Sequence, residues 1–142
     1  TATVTEADVL AGTPVSFAAQ TAIPFNGAVA TFTDANTTNV ASDFTAVIDW
    51  GDGHTSAGTV SGGGGTFTVS GTHTYAASGH FTVTVTLTDD APGTATATVA
   101  SSAAVTDSLA TIPTLDGWGL LALIAALAAV ALSRLRRRQA AA

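Results

Sequence analysis

Between Phe81 and Thr88 the chain reads FTVTVTLT, eight residues in which an apolar side chain and a threonine alternate without a break. Only a backbone with a two-residue repeat sorts this pattern into two chemically distinct faces. Phe81, Val83, Val85 and Leu87 then share one side and four threonines the other. A helix would scatter the same residues around its circumference. Valine and threonine, branched at Cβ, also favour extended backbone. The stretch is therefore a half-buried strand, and its apolar face requires a second layer to pack against.

Shorter runs of the same kind recur in Val29-Ala-Thr-Phe-Thr33, Phe44-Thr-Ala-Val-Ile-Asp-Trp50 and Thr66-Phe-Thr-Val-Ser70. Thr94-Ala-Thr-Ala-Thr-Val99 repeats the pattern more weakly, because alanine buries little area. Between them lie turn signals at Asp52-Gly53, at Gly62 to Gly65, at Ser78-Gly79 and from Asp90 to Gly93. Several short strands at this spacing predict an antiparallel β-sandwich, and no helical period occurs before Gly117. The expected core comprises Phe17, Phe32, Phe44, Ile48, Trp50, Phe67, Tyr75 and Phe81, with Trp50 as its central anchor.

Charge narrows the function classes. All four basic residues (Arg134, Arg136, Arg137 and Arg138) lie in the last nine positions of the 142, so everything before them carries only acidic charge. Such a body repels nucleic acid and anionic headgroups. Cysteine is absent, which removes disulfides, thiolate nucleophiles and thiolate metal sites together. Abundant Thr, Gly, Ser and Ala with little charge is the composition of exported bacterial surface proteins. The first residue, Thr1, fits a signal peptide already removed.

Catalytic chemistry finds little support. Of three histidines, His73 reads as structural, His54 as an exposed residue after a turn, and His80 as the start of a strand. No nucleophile elbow and no His-Glu-x-x-His pair is present, so the expectation is a non-enzymatic protein. No cofactor is expected. Adjacent loop carboxylates suit calcium, a cation that prefers oxygen ligands, and Asp89 and Asp90 are the weak candidates. Turn-forming hydrogen bonds explain most such aspartates without any metal.

A resemblance then becomes specific. Ile48-Asp-Trp-Gly-Asp-Gly53, followed by His73-Thr-Tyr75 and Gly79-His-Phe-Thr-Val-Thr-Val85, resembles the PKD family of immunoglobulin-like domains over roughly residues 12 to 105. The resemblance implies a structural or interaction module, with Trp50, Tyr75 and Phe81 as core residues.

The other end differs in kind. Gly117 to Ser133 is 17 residues without a charge, including five leucines. As a helix it extends about 25 Å, against a hydrocarbon core of roughly 30 Å. Snorkelling arginines would cover the difference. Ile112-Pro-Thr-Leu115, then Trp118, an apolar helix and Arg134, Arg136, Arg137 and Arg138 resemble the IPTL-CTERM sorting signals of Gram-negative bacteria. That resemblance implies export, surface destination, at least transient contact with a membrane, and an exosortase-type enzyme as partner. Asp116-Gly117 stands where the family more often has Ser-Glu.

On a helix, Gly119, Ala122, Ala125, Ala126, Ala129 and Ser133 form one stripe of small residues. Such stripes let backbones approach closely, which favours a homo-oligomer. The retained arginines point the same way. The N-terminal Thr1-Ala-Thr-Val-Thr5 echoes Thr96-Ala-Thr-Val99 and serves either as a first strand or as an extension that completes a neighbour's sheet.

The domain plan is thus a sandwich over 1–107, with 1–11 as the candidate extension strand. A linker carrying the IPTL motif follows over 108–116, then a hydrophobic helix with its arginine cluster over 117–138, and a tail over 139–142. Three functions fit this plan. The first is a self-assembling, filament-like surface subunit. The others are a monomeric membrane-anchored module carrying a sorting signal, and an adhesin or carbohydrate-binding module. The third is the least supported, since few aromatics remain once the core is filled.

Overall fold

The computed structural model describes residues 9–90, 95–108 and 124–130. The chain divides into two units, Thr1–Ser108 and Leu109–Ala142. The first contains eight strands: β1 (Leu10–Pro14), β2 (Phe17–Gln20), β3 (Phe25–Asp34), β4 (Phe44–Asp49), β5 (Thr55–Gly63), β6 (Thr66–His73), β7 (Gly79–Asp89) and β8 (Thr96–Thr106). A 3-10 turn, Ala41–Asp43, precedes β4. In the second unit residues 124–130 are helical.

The strands pair in the order β1-β3-β6-β5-β4-β7-β8-β2. Because β5 belongs to two ladders, this order folds into two layers. Its first half pairs with β4, from Asp49↔Thr55 to Ala46↔Gly58, and its second half with β6, from Thr59↔Ser70 to Gly63↔Thr66. The β5–β6 hairpin closes through Gly64 and Gly65, at φ +64° and +82°. Positive φ at both central residues matches the right-handed strand twist, and glycine adopts it without a Cβ penalty.

The Phe81–Thr88 alternation lies within β7. Val83, Val85 and Leu87 are fully buried, while the threonines between them face outward. They meet Phe32, Phe67 and Val69 from the opposite layer and Phe44, Ala46 and Ile48 from β4, all buried. The Phe44 and Phe67 rings lie 4.6 Å apart. Phe17 and Phe81 are only half-buried and pack against the edge of this core.

Three strands escape a reading of the sequence: β1, β2 and β5. In TSAGTVSGG the only large apolar residue is Val60, so β5 lacks the alternation that reveals β7. It is a strand because both its neighbours offer it a ladder. β1 and β2 are short and poor in large side chains, and between them the chain changes layer. β1 pairs antiparallel with β3, whereas β2 pairs parallel with β8, from Phe17↔Ala103 to Gln20↔Thr106. That parallel pair departs from the otherwise antiparallel pattern.

Ser101, a buried polar residue of β8, holds the crossing together. Its hydroxyl accepts the Val15 N–H at 3.1 Å and donates to the Val29 carbonyl at 2.5 Å. Substituting Ser101→Ala would strand both backbone groups, so a loss of about 1–3 kcal/mol is expected. Urea unfolding checks this; an unchanged midpoint would show that the hydroxyl does not hold the crossing.

Candidate functional site

A densely bonded stretch of the body runs from Asp49 to His54, where β4 turns into β5. Asp49 Oδ1 accepts the Gly51 N–H at 2.9 Å, and Asp52 Oδ1 accepts the His54 N–H at 3.2 Å. The Trp50 N–H donates to the His54 carbonyl at 3.0 Å. Short acidic side chains supply such local bonds, which is why two aspartates frame the turn. Gly51 sits at φ +79°, and a Cβ there would collide with the Thr82 carbonyl of β7. Only glycine fits.

This turn sets the direction of Trp50. The indole is fully buried, and its Nε1–H donates to Ser56 Oγ at 3.0 Å. His73, at the end of β6, stacks on it with centroids 4.8 Å apart and planes 13° from parallel. Tyr75 meets His73 edge-on at 4.6 Å, and its hydroxyl donates to the Trp50 carbonyl at 3.2 Å. Phe81 stacks on Tyr75 at 4.7 Å. Phe17 and Phe25 stack on each other at 4.0 Å and present to Trp50 edge-on. One end of the sandwich is thus an aromatic cluster centred on one indole.

Asp52 ties the turn to this cluster. Its Oδ2 lies 2.8 Å from His73 Nε2 and its Oδ1 lies 3.2 Å from His54 Nδ1. Burial alone would raise the Asp52 pKa. Hydrogen bonds from His73 and from the His54 backbone and ring outweigh that effect, and the carboxyl titrates below its ordinary range. The Tyr75 hydroxyl is pushed up to about 12, mainly by burial and further by the negative charge of Asp52. It stays protonated, as a donor to the Trp50 carbonyl must.

Asp52, His54 and His73 are also, among the described residues, a group whose ligand atoms all fall within 4.8 Å of one another. In sequence they are 21 positions apart, and only the pairing of β5 with β6 brings His73 beside the turn. The calcium candidates do not converge in this way. Asp89 is buried at the end of β7 and Asp90 is exposed. A cavity of about 400 Å³ beside β2, lined by residues including Ala19, Ile23, Phe25 and Thr106, contains no acid, base or imidazole. The sorting residues Ile112, Pro113, Thr114, Leu115, Trp118, Arg134, Arg136, Arg137 and Arg138 lie outside the described residues, as do Gly119, Ala122 and Ser133. Ala125, Ala126 and Ala129 lie on the described helix.

The turn built on Trp50, the His73–Tyr75 pair and the alternating strand β7 all lie within the stretch that one family model matches. The PKD domain model matches residues 7–102, well over half of the chain. The chain belongs to the PKD domain family. A second model, the IPTL-CTERM motif, matches residues 110–137. Among solved structures the chain is similar to the PKD domain of an M14-like peptidase from Thermoplasmatales archaeon SCGC AB-540-F20. The two share 24% identity over 70% of this chain and 92% of that one, with a TM-score of 0.38. No curated protein is significantly similar to the chain.

PKD domains are typically non-catalytic modules, and a PKD domain followed by an IPTL-CTERM motif is the make-up of an exported surface protein. In this PKD domain Asp52 is the residue whose charge the fold uses most directly. Its depressed pKa fixes the sign of the pH dependence. The stabilisation is complete above the unfolded-state value and disappears as pH falls through the lower folded-state value. The stability gap between the parent and Asp52→Asn should therefore be full above the unfolded-state value of about 4 and close as pH falls through the lower folded-state value. Urea titrations at several pH values, in metal-free buffer, test this; a gap that persists at the acid end refutes it.

Proposed function

We propose that this chain is a non-enzymatic structural subunit of the bacterial cell surface that assembles with copies of itself through its C-terminal hydrophobic helix. The PKD sandwich is the exposed, acidic, soluble part of the subunit. The IPTL-CTERM segment directs export and engages an exosortase-type sorting enzyme.

One observation carries the assembly reading. In helix 124–130 two of the large apolar side chains are more than half exposed: Ile124 56% and Leu127 64%. Apolar surface in water costs roughly 25 cal/mol per Å², so these side chains favour any partner that covers them. Ala125, Ala126 and Ala129, interleaved with them, let a second helix approach closely. Sister helices meet both conditions. A filament or ring of such contacts would bury the tails and leave the anionic sandwiches outside, where like charge limits lateral clumping.

The second reading is a monomeric module anchored in the membrane until sorted, and the IPTL-CTERM match favours it. Among the described residues no helix is long and apolar enough to cross a membrane. In this reading Arg134, Arg136, Arg137 and Arg138 would stay on the cytoplasmic side.

One variant separates the two. Replacing Ala125, Ala126 and Ala129 with leucine fills the close-approach surface while making the tail more apolar. Assembly should be lost by sedimentation and electron microscopy. Membrane retention in alkaline carbonate should persist or rise only if the helix is an anchor. Oligomers of unchanged size would overturn the assembly reading.

A further inference from the structure

We infer that Asp52, His54 and His73 form a binding site for a divalent transition metal of the zinc type. The hydrogen bond between Asp52 and His73 has a structural use, since it ties the turn to β6. That use makes no demand on the imidazole of His54. Yet His54, 73% exposed and free to face solvent, directs its Nδ1 to Asp52 Oδ1 at 3.2 Å. Its ring lies 5.8 Å from that of His73. The convergence of two imidazoles on one carboxylate is what the structural role leaves unexplained.

The geometry is close to that of a coordination sphere. Tetrahedral zinc with bonds of about 2.0–2.1 Å places its ligand atoms about 3.3 Å apart. Here His73 Nε2 lies 2.8 Å from Asp52 Oδ2 and His54 Nδ1 lies 3.2 Å from the other carboxylate oxygen, Oδ1, and one ligand atom from each residue gives a set that falls within 4.8 Å. Two of the ligands are fixed in place. The Asp52 and His73 side chains are only 14% and 12% exposed, and the His73 ring is held between the face of Trp50 and the edge of Tyr75. The third, on the exposed side, can close the remaining distance by side-chain rotation. Rigid inner ligands with one adaptable outer ligand favour capture of an ion from solution.

The donor set selects the ion. Two imidazole nitrogens and one carboxylate oxygen suit Zn²⁺, Ni²⁺, Co²⁺ or Cu²⁺, whereas Ca²⁺ wants six to eight oxygens. No thiolate or thioether exists in the chain to attract softer ions. Three protein ligands leave a fourth position for water. On binding, the His73 Nε2–H···Oδ2 and His54 Nδ1–H···Oδ1 hydrogen bonds give way to coordination by those nitrogens. Each ring's displaced proton moves to its other nitrogen, or to solvent if the ring was cationic.

The test uses the full-length chain in non-ionic detergent. ZnCl₂ and CaCl₂ are titrated calorimetrically into the parent and into His54→Ala and His80→Ala, and CoCl₂ binding is followed by visible absorption. The site requires a single saturable Zn²⁺, no comparable Ca²⁺ heat, and intensified Co²⁺ bands typical of four-coordination. His54→Ala should weaken Zn²⁺ by at least about 10- to 100-fold, the range that even outer-shell changes cause. Its metal-free unfolding midpoint should fall only slightly, by the loss of one exposed hydrogen bond to Asp52, and His80→Ala should bind like the parent. Undiminished Zn²⁺ binding by His54→Ala would overturn the site, as would the absence of saturable binding. So would a His54→Ala variant whose loss of binding is accompanied by a metal-free midpoint lowered as far as that of Asp52→Asn, which would show that the turn itself had come apart.

Discussion

Burial of the Trp50 indole is the interaction on which the rest of the body depends. It sits where β2, β3, β4 and β6 meet, with Phe17, Phe25, His73 and Tyr75 around it. An aromatic side chain that buries 150–250 Å² contributes about 4–6 kcal/mol as an upper bound. In a domain with no disulfide and many alanines, no other residue supplies as much. The turn after β4 follows from this burial. To bring the indole under the sheet, the backbone must double back at once, with a glycine at positive φ and two aspartates holding the free N–H groups. The turn in turn sets the position of Asp52, and Asp52 sets that of His73.

The surface is built on a different economy of parts. Apart from His80 at the start of β7, the outward-facing positions of β7 and β8 are threonine, serine and alanine, which tolerate extended backbone and carry no charge. Opposed threonines pair, as Thr86 and Thr98 do at 3.1 Å. Both edge strands, β1 and β2, are short, with five and four residues. Short edges give a neighbouring sheet little to add to, which limits unwanted pairing. In the assembly proposed above, the acidic sandwich would supply the outer surface and the apolar tail the cohesion between subunits. A division of labour of this sort suits a protein that must be exported and persist outside the cell without covalent cross-links.

The Asp52 cluster adds a second layer of meaning to the same turn. A carboxylate that accepts hydrogen bonds from two histidines is well satisfied, so its low pKa needs no metal to explain it. What distinguishes this turn is the exposed imidazole placed beside an already complete structural bond. A metal would exploit rigidity that the fold provides for its own stability, and would add little to the core itself. The proposed assembly surface and the proposed metal site are accordingly separate, one in the apolar tail and one in the PKD domain, and each can fail without the other.

Alternation in β7, the glycine-rich turns and the Trp50, His73 and Tyr75 motifs make the sandwich and its family legible in the amino-acid order, because strand periodicity and turn chemistry are local. The charge-free segment and its arginines are equally plain, being matters of composition. β5 was hidden: a strand with one large apolar residue is a strand only because β4 and β6 flank it. The layer change at Val15 was hidden too, since it depends on a serine 86 residues away. So was the Asp52–His54–His73 group. Its members belong to two separate motifs of the sequence, and their convergence is set by the register between β5 and β6. Local pattern determined which segments extend and which turn; long-range pairing alone decided which side chains meet.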